Sequence, residues 1–157
     1  DDPLAVNYTV GAKVYFPSAS ASIKMISNLG DGAEDMRFLL QTNGFGKPRL
    51  RWSIDGIGFD GNLIASSSLQ TESWHDVAFT YNQGSEIIQV YANGIFEDTE
   101  TSAEISTTND TSSIIAVIGA GNNNGGDNSE LRVKSWFIAD SVLTEDEIAA
   151  MLSTGSV

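Results

Sequence analysis

The chain contains no cysteine, so neither disulfides nor thiolate metal sites are open to it. That absence does not by itself fix a compartment. Histidine is nearly as scarce. His75 is the only one, which rules out a histidine-rich zinc site and an H-E-x-x-H helix. A Ser-His-Asp triad would have to use His75, yet no G-x-S-x-G elbow is present. Positive charge is sparse too: eight Lys and Arg stand against 21 Asp and Glu, a formal net charge of −13 and a pI of about 4.1. Such a surface repels phosphate backbones and anionic membranes, which argues against nucleic-acid partners. It favours solubility, tolerance of salt or the binding of cations. No apolar run approaches the roughly 20 residues of a membrane-spanning helix, so no membrane insertion is expected. The opening Asp1-Asp2-Pro3 has none of the marks of a signal peptide and reads as the start of a mature or excised domain.

What is present is the composition of a β protein. At 157 residues and 41% hydrophobic content, the chain can build one real core, and it reads as a single domain over 1–157. Only 18% of residues are charged, while Ser, Thr, Asn and Gly are plentiful. Trp74 to Gly94 organises the pattern. His75, Val77, Phe79 and Tyr81 alternate with Trp74, Asp76, Ala78 and Thr80, the period of two of a strand. His75 therefore shares a face with Val77 and Phe79 and reads as a packed structural histidine. A turn at Asn82-Gln83-Gly84-Ser85 leads to a second strand, Ile87 to Ala92, and Asn93-Gly94 is the strongest short turn signal in the chain.

The same reading places strands at Tyr8 to Phe16, Ser22 to Leu29, Met36 to Thr42, Arg49 to Asp55, Ser113 to Gly119 and Glu130 to Ala139, with a weak one at Leu63 to Leu69. Ile95 to Glu104 is polar and acidic and reads as a surface connection. One helix follows near the C-terminus. Thr144 with Glu147 three residues on makes a capping box, Leu143 and Ile148 occupy staple positions, and Ile148, Met151 and Leu152 form a short apolar stripe ending before Gly155. The helix is expected to plug one edge of the core. About nine strands at short spacing with one terminal helix predict an all-β fold, a two-sheet antiparallel sandwich or jelly roll with one short C-terminal helix.

One motif is a decoy. Gly56-Ile-Gly-Phe-Asp-Gly61 matches G-x-G-x-x-G, and Asp76 lies twenty residues beyond Gly56. A dinucleotide site needs a helix N-terminus directly after the glycines. Asn62-Leu-Ile-Ala-Ser has no helical signature, so this is read as a glycine-rich β loop.

W-H-D-V-A-F-T-Y-N from Trp74, followed by V-Y-A-N-G from Val90, resembles the W-H-x-V-A-x-T-Y … L-Y-V-N-G core of the laminin-G-like jelly rolls of the concanavalin A-like lectin/glucanase superfamily. Tyr8-Thr9-Val10 with Val14 resembles the family's opening strand. Leu131 to Phe137 with Leu143-Thr-Glu-Asp-Glu-Ile resembles its closing segment. The three pieces keep the family's order and span nearly the whole chain. The resemblance implies two stacked, curved antiparallel sheets and a binding or adhesion module, in many members for carbohydrate and often with one calcium ion at the rim. The fold itself does not establish that activity.

Glucanase relatives carry an E-x-D-x-E run that sets carboxylates on one strand face for glycoside hydrolysis. The nearest counterpart is Glu97-Asp98-Thr99-Glu100, where Glu97 and Asp98 point to opposite faces. A catalytic role is therefore not expected. For calcium, which takes six to eight hard oxygens, two loops qualify. One holds Asp31, Glu34 and Asp35; the other holds Asn122, Asn123, Asn124, Asp127 and Asn128. Asp31, Asp35, Asn124 and Asp127 are the candidate ligands. Plain polar turns are the alternative.

For sugar, aromatic faces and planar polar side chains are the useful groups. Tyr15, Trp52, Trp74 and Trp136 are candidates, with Arg37, Gln41 and Arg51. Alternation puts Arg37, Gln41, Arg49 and Arg51 opposite Met36, Phe38, Leu50 and Trp52. If the two strands are neighbours, three arginines share one exposed face of an acidic protein. Arginine forks suit carboxylate and sulfate. The bland alternatives are core aromatics and arginines paired with local carboxylates. The expectation is thus a non-catalytic carbohydrate-binding or adhesion module of a larger protein. It would be extracellular or on a cell surface (or a virion), calcium-dependent if a loop holds the ion, and directed at an acidic glycan. The alternative is a structural or protein-interaction domain of a virion, tail or cell-surface assembly.

Overall fold

The computed structural model describes residues 7–17, 23–29, 36–54, 58–101, 105, 116–119 and 130–154. Their elements in chain order are β1 (Asn7–Tyr15), β2 (Lys24–Leu29), β3 (Met36–Thr42), β4 (Pro48–Trp52), β5 (Gly61–Ile64), β6 (Trp74–Asn82), β7 (Ile87–Ala92), β8 (Ile95–Glu100), β9 (Ala116–Ile118), β10 (Arg132–Ala139) and α1 (Glu145–Ser153). The strands form two five-stranded sheets, ordered β10-β1-β6-β7-β8 and β5-β4-β3-β2-β9. Their pairings are antiparallel, as the sandwich reading requires.

The alternation that defines each strand also builds the core. Tyr8, Val10, Ala12 and Val14 of β1 and Val77, Phe79 and Tyr81 of β6 face Phe38, Leu40, Leu50 and Trp52 from the other sheet. Phe38 bridges the layers, its ring 4.8 Å from that of Phe79 in an edge-on contact and 6.2 Å from that of Tyr8. Such aromatic pairs add about 0.5–1.5 kcal/mol each beyond their buried area. His75 sits in this layer as expected. It is buried, stacked on Phe16 at 6.0 Å, with Nδ1 3.2 Å from the Asn93 side-chain oxygen and Nε2 2.7 Å from the Gln70 carbonyl.

The Asn93-Gly94 turn has φ of 54° and 76°, the left-handed pair that a two-residue hairpin needs. It joins β7 to β8, so the segment from Ile95, expected as a surface connection, is a strand as far as Glu100. It was hidden because β8 is an outer strand of its sheet with little buried surface, and no apolar alternation marks it. Glu97, Asp98 and Glu100 instead guard the open strand edge with charge. The weak strand expected at 63–69 is shorter and starts earlier, as β5. Its partner β4 stops at Trp52, where the Asp60 carboxylate accepts the Ile54 N–H at 2.8 Å and takes up the local backbone.

The capping box of α1 is present. Glu147 Oε2 accepts the Thr144 N–H at 2.8 Å, and Thr144 Oγ1 accepts the Glu147 N–H at 3.4 Å. The helix does not plug an edge of the core. It lies on the outer face of the first sheet, where Ile148 and Leu152 bury against Ala78, Tyr91 and Phe137. Met151, the third member of the expected stripe, is exposed, because Ile148 and Leu152 alone share the buried face. Gly11 makes room for this second cluster: a Cβ there would lie 2.6 Å from Cε1 of Phe137.

Candidate functional site

The outer face of the second sheet carries the arginines. Arg51 of β4 pairs with Leu39 on one side and Asn62 on the other, and Arg49 pairs with Gln41 and Ile64. Gln41 pairs in turn with Lys24 of β2. β3 and β4 are thus neighbours, and Arg37, Gln41, Arg49 and Arg51 do share one face. The face is not uniformly exposed, however. Arg37 and Gln41 are both 2% exposed, whereas Arg49 and Arg51 are half-buried. Alternation fixes which face a side chain takes, not whether that face is covered. β3 is the middle strand of five, flanked on both sides, and its polar side chains are sequestered. The accessible guanidiniums are those of β4.

Arg51 is the least compensated of them. Its guanidinium carbon lies 3.9 Å from the centre of the Phe59 ring, well inside cation–π range. No carboxylate among the described residues stands within ion-pair distance of it. Burial, and then the neighbouring Arg49 charge, hold its pKa below the ordinary arginine value. A bound anion would oppose this shift by favouring the charged form. Asp60, next to Phe59, is engaged in its own loop, accepting the Ile54 N–H and the Ser53 hydroxyl at 3.4 Å. Those bonds hold Phe59 beside Arg51. Phe59 had no sequence signal, being one aromatic in a glycine-rich loop.

Trp52 is placed against its expected ligand role. It is 3% exposed, on the core side of β4, with its indole seated on Gly61, where a Cβ would fall 1.8 Å from Cε2. A tryptophan opposite outward arginines on one strand must point inward. Tyr15 is separated from the arginines altogether. It lies on the outer face of the first sheet, its ring 5.6 Å from Trp74 and 5.2 Å from the Arg132 guanidinium carbon. The expected ligand set of Arg37, Gln41, Arg51, Trp52 and Tyr15 is therefore divided between two outer faces and the core, because sheet membership is a long-range property that no local pattern carries.

Asp31, Asp35, Asn124 and Asp127 lie outside the described residues, as do Glu34, Asn122, Asn123 and Asn128. Among the described residues no three His, Asp or Glu side chains are grouped to hold a metal ion. Glu97 Oε2 accepts the Ser67 N–H at 2.8 Å and Asp98 Oδ1 the Thr99 N–H at 2.9 Å, so these carboxylates serve loop and strand structure. Gly61 opens a strand rather than a helix, which disposes of the dinucleotide motif. No helix among the described residues is long and apolar enough to cross a membrane.

Several solved structures share this fold. The carbohydrate-binding module CBM40 of the Ruminococcus gnavus IT-sialidase, solved with α2,3-sialyllactose, superposes with a TM-score of 0.71 at 19% identity, covering 96% of this chain and 84% of that one. The heptameric SAP-like pentraxin of Limulus polyphemus gives 0.66 at 15% identity, over 92% of this chain and 69% of that one. The NanB sialidase of Streptococcus pneumoniae gives 0.75 at 14% identity, and the 92% of this chain that matches covers 23% of the sialidase. At these identities the likeness is one of fold. No sequence match to a curated protein accompanies them. The model of a laminin-G-type family in the concanavalin A-like lectin/glucanase superfamily matches residues 1–149, and the chain belongs to that family.

Proposed function

We propose that this domain is a non-catalytic carbohydrate-binding module that receives an acidic glycan on the outer face of its second sheet. One observation carries the reading: Arg51 is a half-buried guanidinium backed by Phe59, beside a second arginine and without a carboxylate partner among the described residues. In a chain with a net charge of −13, such a group is a specific receptor for a carboxylate or sulfate. Arg49 supplies a second fork on the same strand face, and Asn62, across from Arg51, offers hydrogen bonds to hydroxyls. The R. gnavus module of the same fold was solved with α2,3- and with α2,6-sialyllactose, whose sialic acid bears a carboxylate. An extracellular or cell-surface placement follows from this reading, since such glycans are displayed there. Calcium enters through the family alone, with Asp31, Asp35, Asn124 and Asp127 as its candidate ligands, and no step at Arg51 depends on it.

A glycan microarray probed with calcium and again with EDTA tests the reading. Binding confined to acidic glycans and retained in EDTA supports the arginine face. Binding abolished by EDTA moves the site to the calcium loops, and silence in both removes the carbohydrate reading. A second reading, a structural or protein-interaction domain, draws on Ile95 and Phe96, which stand 62% and 41% exposed on the β7–β8 hairpin. Self-association of the purified domain that an Ile95→Ser and Phe96→Ser double variant abolishes would favour it.

A further inference from the structure

The opposite face of the sandwich carries a second row of chemistry that the arginine site does not use. In the first sheet Tyr15 pairs directly with Arg132 of β10 on one side and with Trp74 of β6 on the other. Directly paired residues share a face, so the three side chains stand in line across three strands. The two rings are 5.6 Å apart, and the Arg132 guanidinium carbon is 5.2 Å from the Tyr15 ring. Trp74 is 45% exposed, Tyr15 half-buried and Arg132 exposed. The next row inward on the same face is the ion pair of Lys13 Nζ with Asp76 Oδ1, at 2.6 Å. α1 covers the sheet beyond that point, through Phe137, Ala78 and Tyr91, and leaves the aromatic row open.

We infer that Tyr15, Trp74 and Arg132 form a second glycan site, one that takes a neutral pyranose unit by ring stacking. The occupant follows from the charge balance. Lys13 is neutralised by Asp76, and the platform lacks two neighbouring guanidiniums such as Arg49 and Arg51 on the other face. It offers an aromatic surface edged by one guanidinium and one carboxylate. The apolar C–H face of a pyranose packs on such rings, as apolar surface does on aromatic side chains in general. Arg132 then donates to ring hydroxyls, and Asp76 accepts from them. The guanidinium over Tyr15 and the Tyr15–Trp74 contact fix the platform before the sugar arrives, which lowers the ordering cost of binding. The two sites lie on opposite outer faces, so one domain can hold two glycan chains. This inference stands apart from the arginine site and does not need it.

The three indole N–H signals in a proton–nitrogen NMR spectrum, assigned by single Trp→Phe replacements, report on the platform directly. Cellohexaose, xylohexaose, mannohexaose and lactose serve as neutral probes, and α2,3-sialyllactose as the acidic one. The expected result is that at least one neutral probe moves the Trp74 signal. The signal of Trp52, buried in the core, stays fixed. So does that of Trp136, which is more exposed than Trp74 but without a ring partner among the described residues. Tyr15→Ala and Arg132→Ala each weaken that titration at least tenfold, and Arg51→Gln leaves it unchanged. The inference is overturned if no neutral probe moves Trp74 at millimolar concentration. It is equally overturned if the Trp74 titration survives Tyr15→Ala and Arg132→Ala, or if only the acidic probe moves Trp74 and salt abolishes the effect.

Discussion

The guanidinium carbon of Arg51 stands 3.9 Å from the centre of the Phe59 ring, and the carboxylate of the very next residue, Asp60, ties that loop to the end of β4. The charge, its aromatic backing and the bonds that hold the backing thus come from two segments only a few residues apart. Replacing Phe59 with Ala removes a cation–π contact of about 0.5–1 kcal/mol and frees the Arg51 side chain. The expected outcome is a several-fold loss of affinity for acidic glycan with the melting temperature nearly unchanged. Calorimetric titration and thermal denaturation on the same variant check both halves.

Gly61 sits under the Trp52 indole, and a methyl group there would fall 1.8 Å from Cε2. The indole is boxed into the core and cannot swing away. Gly61→Ala is expected to destabilise the domain by at least the roughly 1–3 kcal/mol typical of overpacking, visible as a lower urea midpoint. An unchanged midpoint would show that the Trp52 ring does not rest on that strand.

The helix cap gives a pH dependence with a definite sign. Hydrogen bonds from the Thr144 backbone and side chain hold the Glu147 carboxyl below its ordinary pKa. A depressed carboxylate adds stability that is present above the unfolded-state pKa and lost as pH falls through the folded one. The wild type should therefore lose a small increment of stability on acidification through the carboxylate range. Thr144→Ala, which costs about 1 kcal/mol at neutral pH, should lose less of that increment. Urea midpoints of both proteins over an acid series give the comparison.

Tyr91 has the opposite sign. Burial, the leading cause, raises its phenol above the ordinary tyrosine value; the Thr80 hydrogen bond lowers it by less, and the Glu145 charge adds a smaller raise still. The raised group contributes stability that is full below the unfolded-state pKa and lost as pH rises through the folded value. Tyr91→Phe should therefore weaken the alkaline loss of stability. Thermal melts in the alkaline range, with ultraviolet absorbance to follow tyrosinate, test this.

The two-sheet sandwich was legible because its strands alternate and its turns carry their own chemistry. Tyr8 through Phe16 and Trp74 through Tyr81 bury the faces their spacing indicates, and Asn93-Gly94 takes the left-handed pair it promises. β8 was not legible, because an exposed acidic outer strand has no buried face to write a period into the residues. The candidate site was half legible. Alternation placed Arg49 and Arg51 on one outward face, but Trp52, set opposite them by the same alternation, was expected as a ligand and is buried in the core. It could not show that Arg37 and Gln41 on the neighbouring strand are covered, nor that Tyr15 belongs to the other sheet. Trp74 and Arg132, far apart in sequence, are brought into line only through Tyr15 of β1.

The most direct measurement is the affinity of the acidic glycan bound best on the array for three proteins: wild type, Arg51→Gln and the Arg49→Gln, Arg51→Gln pair. A charge-assisted hydrogen bond is worth about 1.5–3 kcal/mol, and each 1.4 kcal/mol is tenfold in affinity. Arg51→Gln should therefore weaken binding about tenfold or more, and the pair further still, with thermal stability preserved and the salt dependence of the residual binding flattened. Unchanged affinity in the double variant, with the protein still folded, would contradict the arginine face as the binding site.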